Sequence, residues 1–196
     1  MMDVPDSDNV VAAIKQVAAY GGQLASVFHT YALTARRLPR GLEGAINILD
    51  ATTTSLNQFL DLFKKEAESL KNGSDRRLFN DEGLKYVLLL TTLCGIALAE
   101  VEPIVKDACL GRKELKARRK LQKSKFETLA KGDVPELDLS SLKLDEKALL
   151  ETIECTKWNY VSSHIELCVD ALYDLQLHLQ LVSQVAWVGF LSGEVS

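Results

Sequence analysis

The segment from Trp158 to Leu191 carries the longest regular apolar pattern in the chain, and this pattern most constrains the fold. Its apolar residues recur at alternating steps of three and four, which is the period of one face of a long helix packed lengthwise against other helices. The residues of this face are Trp158, Val161, Ile165, Cys168, Leu172, Leu175, Leu179, Val182 and Ala186. Beyond Leu175 further apolar residues leave little polar face, so this end must be covered by partner helices or by something outside the chain.

Three earlier segments show the same period. They are approximately Val10–Tyr31, with Arg36 and Arg37 at the helix end, then Gly41–Lys71, and then Asp81–Leu110. Gly21 and Gly22 interrupt the first segment, and each costs about 1 kcal/mol relative to alanine, which predicts a close helix approach or a bend. Pro103 predicts a kink in the third helix, or the point at which it becomes exposed.

Between the third and last helices the composition changes sharply. Residues 112 to 131 are strongly basic and have high helix propensity, and an acidic stretch with Pro135 follows them. Leu137, Leu139, Leu142 and Leu144 alternate as in a strand, but the chain offers no partner strand, so an extended segment clamped on the helices is expected. Asp145 then caps the last helical region.

These patterns predict an all-α fold. We expect an antiparallel four-helix bundle of long helices, with an additional basic helix and an extended acidic segment inserted before the last helix. Residues 1–196 would form a single helical domain, in which 1–8 are a disordered start and 111–143 are the basic and acidic excursion. A chain of 196 residues with 47% hydrophobic residues can bury such a core without disulfide or metal support.

The sequence predicts no catalytic centre, metal site or cofactor. None of the three histidines has the Glu-x-x-His spacing of a di-iron bundle, and no phosphate-binding loop or nucleophile motif is present. The four cysteines lie within helical patterns without a CxxC pair, which indicates buried free thiols in a reducing compartment. A non-enzymatic protein without a small-molecule substrate is therefore expected.

Charge and hydropathy restrict the compartment in which the protein is expected and the classes of partner that it is expected to bind. The net charge of −4 argues against a nucleic-acid-binding surface. The acidic start does not resemble a signal peptide, and the apolar stretch Tyr86–Ala99 is shorter than the roughly 20 residues that span a bilayer. We therefore expect a soluble, cytoplasmic protein, and peripheral contact with a membrane stays open.

Two groups of residues are candidates for contact with partners. The basic group could meet anionic lipid or an acidic protein surface, or could be a solvated helix neutralised by the acidic stretch after it. The apolar end of the last helix could meet another chain or a bilayer. The basic group is Arg112, Lys113, Lys116, Arg118, Arg119, Lys120 and Lys123, and the apolar group is Leu177, Leu181, Val185, Trp187, Val188 and Phe190.

The layout resembles the N-terminal all-helical domains of fungal NOD-like receptors, of the HeLo-like (STAND) type. The resemblance lies in LPRGLEGAINILDATTTSLNQFLDLF, in the apolar third helix and in KWNYVSSHIELCVDALYDLQLHLQLVSQVA, and it covers most of the chain. It implies a signalling module of programmed cell death that oligomerises and permeabilises membranes. The alternative is a structural adaptor that binds a protein partner through its basic helix or through the apolar end of its last helix.

Overall fold

A computed structural model describes residues 6–73, 77–110, 138–155 and 158–194, and also 116–117, 120–121 and 123–124 within the basic segment. Its helices are α1 (Ser7–Thr34), α2 (Leu42–Lys71), α3 (Asp81–Ala99), α4 (Val101–Leu110), α5 (Glu146–Cys155) and α6 (Trp158–Glu194), with a 3₁₀ turn at Leu139–Ser141. No strand occurs in these ranges, so the described chain is all-helical, as predicted.

The four longest helices pack on one another in pairs. α1 packs against α2 and α3, and α6 packs against the same two helices, while α5 lies against α1 and α4. α1 and α2 run in opposite directions, because Gly21 lies against Thr53 whereas His29, further along α1, bonds to Asp50, which comes earlier in α2. The buried core collects apolar side chains from every one of these helices.

Two contacts give the direction of α6 relative to α2. Gly41, just before α2, lies against Ser162 near the start of α6. Further along both helices, Lys65 lies over the ring of Trp187. α2 and α6 therefore run side by side in the same direction. The second and fourth helices of an antiparallel bundle also share a direction, so this observation does not contradict the predicted arrangement.

Gly21 marks a close approach of three helices. A methyl group at Gly21 would lie 2.9 Å from Thr53 Oγ1 and 3.3 Å from Leu98 Cδ1, whereas one at Gly22 would lie 3.9 Å from Thr53 Cγ2. Gly21 is therefore the position where α1 meets α2 and α3 without room for a side chain. This confirms the first of the two outcomes expected from the glycine pair.

The predicted third helix is interrupted at Glu100, which separates α3 from α4. Pro103 explains the position of the break, because proline lacks an N–H and its ring clashes with the carbonyl four residues earlier, here that of Ala99. Ala99 is the last residue of α3. The Ile104 N–H donates to Glu100 O at 3.3 Å, so helical bonding resumes immediately after the break.

The helix ends follow local capping chemistry. Asn80 Oδ1 accepts from the Gly83 N–H at 2.8 Å, and Asp145 Oδ1 accepts from the Ala148 N–H at 3.0 Å, so the predicted cap at Asp145 is confirmed. α1 begins at Ser7, so the predicted disordered start of residues 1–8 is too long. It also ends at Thr34, before the arginines expected at its end, because Ala35 is already extended.

The leucine-rich segment before α5 is clamped on α1, as predicted. Leu142 is buried, and its carbonyl accepts a hydrogen bond from Gln16 Nε2 at 3.3 Å. Leu139 and Leu144 are half-buried against the core, and Leu139 opens a single 3₁₀ turn. Leu137 lies outside the described residues. The alternation therefore marks a segment pinned by its leucines, without a strand partner in the described ranges.

Among the described residues, one helical stretch is long and apolar enough to cross a membrane. The most apolar window of Asp81–Ala108 has a mean hydropathy of 1.8. This stretch is longer than Tyr86–Ala99, which by itself is too short to span a bilayer. However, 61% of that window is buried inside this fold. A core helix has the same length and composition, so the stretch carries no argument for a membrane span.

Candidate functional site: the outer face of the last helix

The inner face of α6 is buried along the described helix. Val161, Ile165, Cys168, Leu172, Leu179 and Ala186 are buried, and Leu175 and Val182 are half-buried against the core. These residues belong to the face that the three-and-four period predicts, and the side chain of Trp158 lies outside the described set. One side of α6 is therefore a core surface over most of its length.

The opposite side of α6 carries a line of exposed apolar side chains. Tyr173, Leu177, Leu181, Val185 and Val188, called here the outer stripe, are between 46% and 65% exposed. Their spacing of four, four, four and three places them on one helical face. At a rise of 1.5 Å per residue the outer stripe is about 22 Å long. It is thus a continuous apolar surface, unlike the scattered apolar residues that any protein exposes.

Two of the six apolar residues predicted to contact a partner, Trp187 and Phe190, are not part of the outer stripe. Trp187 is half-buried, and Lys65 Nζ lies 3.9 Å from the centroid of its ring. A cation over an indole face is attracted to the ring, and the lysine also covers that face from within the chain. The side chain of Phe190 lies outside the described residues. Leu177, Leu181, Val185 and Val188 are exposed as expected.

The surface next to the outer stripe includes residues that the sequence patterns did not single out. Tyr173 continues the four-residue spacing towards the start of α6, so its place could have been found from the period alone. Tyr86 and Leu89 of α3 are also more than one third exposed. Tyr86 Oη lies 3.2 Å from His178 Nδ1, which joins the exposed face of α3 to α6. Tyr86 and Leu89 are recognised as part of this surface only because α3 packs beside α6.

The charged residues of α6 itself have a single sign. α6 contains Glu166, Asp170, Asp174 and Glu194 but no lysine or arginine, although Lys65 of α2 lies over Trp187 beside the outer stripe. The first three are exposed and lie near or before Tyr173, the first residue of the outer stripe. A surface of anionic lipid would be repelled by these carboxylates. The outer stripe therefore suits an apolar protein surface better than an anionic bilayer.

No family model, curated protein or solved structure matches this chain. Within the described ranges, no group of three or more His, Cys, Asp or Glu side chains is placed to hold a metal ion. Functional inference for this chain therefore rests on its own surfaces and charges.

The predicted basic contact group is described only in part. Lys116, Lys120 and Lys123 are exposed and helical. Their spacing of four and three places the three ammonium groups on one helical face. Arg112, Lys113, Arg118 and Arg119 lie outside the described residues. The described lysines thus form a cationic face that is separate in sequence from the outer stripe.

A tyrosine and two charged residues connect α1 to α4. The Tyr20 hydroxyl donates to Glu102 Oε2 at 3.5 Å, and Lys106 Nζ lies 2.6 Å from Glu102 Oε1. Burial raises the pKa of Tyr20 well above its ordinary value, and the neighbouring Glu102 carboxylate adds to this rise. Tyr20 is therefore a protonated donor at neutral pH, and the cluster is a structural tie between the two helices.

The described cysteines have different environments. Cys94 and Cys168 are buried free thiols, as predicted, whereas Cys155 is exposed at the end of α5. Burial raises the pKa of the Cys94 thiol to about 12. A thiol becomes a nucleophile only as the thiolate, so Cys94 is chemically inert at neutral pH. The expectation of burial was wrong for Cys155, which lies at the end of its helix and is exposed among the described residues.

Proposed function

We propose that this chain is a non-catalytic, cytoplasmic signalling module that acts by associating with other protein chains through the outer stripe of α6. The observation that carries the proposal is the exposure of Tyr173, Leu177, Leu181, Val185 and Val188 along one helical face about 22 Å long. Leaving such a line of side chains in water is unfavourable by roughly 25 cal/mol per Å² of apolar surface, and a partner removes this cost.

The architecture and the resemblance support a signalling role. α1 packs against α2 and α3, and α6 packs against the same two helices, which is consistent with a helical bundle. The segments 38–63 and 157–186, which carry the resemblance to fungal HeLo-like domains, contain most of α2 and the first part of α6. The proposed signal is accordingly the death or growth arrest of the cell when several copies are brought together.

The test is induced clustering in fungal cells. The chain is fused to a domain that oligomerises on addition of a small molecule, and viability is followed after addition. The proposal predicts that the wild-type fusion loses viability and that the pair Leu181→Glu and Val185→Glu restores it. Leu33→Glu is the matched control, because Leu33 is also exposed but lies on α1. Unchanged viability of the clustered wild type would overturn the signalling role.

An adaptor function is the second candidate, and the cationic face of Lys116, Lys120 and Lys123 favours it. Here the basic segment would dock an acidic protein, and attraction between exposed charges would weaken with salt. Clustering distinguishes the two functions, because an adaptor without its own signal leaves viability unchanged. A variant with Lys116, Lys120 and Lys123 changed to Glu would then lose the acidic partner while the outer stripe stays intact.

A further inference from the structure

We infer that the partner of the outer stripe is a second copy of this chain, bound with the two α6 helices antiparallel and a twofold axis at Leu181. This inference rests on the proposed function, because it names the partner of the same surface. Leu181 is the midpoint of the outer stripe, with Tyr173 and Leu177 on one side and Val185 and Val188 on the other. A twofold rotation about Leu181 therefore places the outer stripe of one copy along the outer stripe of the other, with matching length and spacing.

The sizes of the side chains favour the antiparallel orientation. A twofold axis at Leu181 places Leu177 opposite Val185 of the second copy and Tyr173 opposite the region of Val188 and Gly189. On either side of the Leu181 pair, a larger residue then faces a smaller one, as close packing between helices requires. Gly189 has open space around its Cα, which leaves room for the tyrosine ring. Parallel pairing would instead set Tyr173 against Tyr173 and Val188 against Val188, and would leave gaps between the valines.

The acidic residues of α6 point to the same orientation. Glu166, Asp170 and Asp174 are exposed on the N-terminal half of the helix. Parallel pairing would place each carboxylate beside the same residue of the second copy, and like charges in contact repel. Antiparallel pairing about Leu181 places Asp174 opposite position 188 and Asp170 opposite position 192, which are valine and serine. Repulsion between the carboxylates therefore disfavours the parallel dimer more than the antiparallel one, in which they do not face one another.

The size of the surface sets the expected affinity. Two helices in contact over about 22 Å bury less than the roughly 800 Å² per partner of a standard interface, even when Tyr86 and Leu89 at the edge of α3 take part. Small interfaces of this kind belong to weak, transient complexes. We therefore expect a dimer that dissociates on dilution through the micromolar range, as suits a module whose signal depends on local concentration.

Sedimentation velocity tests the dimer. Between roughly 5 and 500 µM the wild-type chain should pass from monomer to dimer mass. Leu181→Glu places two carboxylates at the twofold axis and should weaken the dimer at least tenfold, whereas Leu33→Glu should leave the dimer unchanged. A wild-type chain that stays monomeric at the highest concentration, or equal weakening by Leu33→Glu, would overturn the inference.

Disulfide trapping tests the orientation in a background with Cys109 and Cys155 changed to Ser. Leu181→Cys should form an intermolecular disulfide with itself, and Leu177→Cys should pair with Val185→Cys in a mixture. Leu177→Cys alone should not react, because two copies of position 177 would lie about 12 Å apart along the helices, beyond the roughly 7 Å between Cα atoms that a disulfide allows. Efficient pairing of Leu177→Cys with itself would contradict the antiparallel arrangement.

The two proposals fail in different experiments. The chain could stay monomeric while clustered cells still die and Leu181→Glu restores their viability. In that case the inferred dimer is wrong and the signalling role stands. If the dimer forms but clustering has no effect on viability, the signalling role is wrong and the dimer stands.

Discussion

At the residue scale, burial separates cysteines that the sequence patterns treat alike. Cys94 is fully buried in α3 and Cys168 in α6, whereas Cys155 is exposed. Each lies in a helix, so the period assigns each to a face but does not say whether a neighbour covers that face. Thiol chemistry depends on the thiolate, whose formation burial opposes. The chain thus carries an accessible thiol at Cys155 and buried ones in its core.

Alkylation and alkaline unfolding should show this difference. At about pH 8.5, in a Cys109→Ser background, mass spectrometry should find Cys155 alkylated rapidly, with Cys94 and Cys168 modified only after unfolding. Burial raises the pKa of the folded Cys94 thiol from its ordinary value of 9.0 to about 12, so the folded state holds its proton to higher pH. Stability from this group is complete below about pH 9 and is lost as the pH rises towards 12.

The control for the alkaline effect is Cys94→Ala, which removes the titrating group but keeps a small apolar residue. The free energy of unfolding of this variant should fall less steeply above pH 9 than that of the wild type, although its value at neutral pH is lower because of the cavity. An identical alkaline slope in both proteins would contradict the assigned role of the Cys94 thiol.

At the element scale, the contact of α1 with α2 and α3 depends on one glycine of the pair. The two glycines have the same helix propensity, and a pattern of apolar residues does not separate their effects. In the fold, however, only Gly21 faces Thr53 and Leu98 at distances too short for a methyl group. The cost of a side chain at Gly21 is therefore a property of the three-helix contact.

The pair offers a matched test of helix packing. Gly22→Ala should raise the free energy of unfolding by about 0.5 to 1 kcal/mol, because alanine restricts the unfolded chain and meets only Thr53 Cγ2 at an ordinary distance. Gly21→Ala should lower it by about 1 to 3 kcal/mol, because Thr53 or Leu98 must move. Thermal and urea unfolding measure both changes, and equal effects of the two substitutions would contradict the close approach.

At the scale of the whole molecule, charge is segregated along the chain. Residues 112–131 contain nine Lys and Arg against two Glu, which is a net charge of +7. Because the whole chain has a net charge of −4, the remaining residues carry −11. Such a distribution attracts anionic surfaces to one segment while the rest of the molecule repels them. The acidic residues of α6 belong to the repelling part, so we expect lipid contact at the basic segment and not at the outer stripe.

Flotation with vesicles measures this separation. Vesicles that contain anionic phospholipid should bind the chain at low salt, release it as salt screens the attraction, and fail to bind when Arg118, Arg119 and Lys120 are changed to Glu. The matched control changes Arg36, Arg37 and Arg40 to Glu and should keep most of the binding. Equal binding to neutral vesicles, or binding that does not respond to salt, would show that this segment does not contact anionic lipid.

Much of the fold followed from the sequence because helix formation is local. The inner face of α6, the face of α2 and the cap at Asp145 all depend on residues within a few positions of one another. The break at Glu100 lay near enough to Pro103 to be anticipated. The packing of α6 beside α2 and α3 was not predictable in this way, because it depends on contacts between residues that are far apart in the sequence.

The sequence by itself determined which residues share a helical face, including four of the apolar residues proposed to meet a partner. Only the tertiary structure decided which faces are covered, because burial is settled by residues distant along the chain. Lys65 covers Trp187 from α2, α3 brings Tyr86 beside His178, and no described helix covers Leu181. The outer stripe exists because the inner face of α6 is already occupied by α2 and α3.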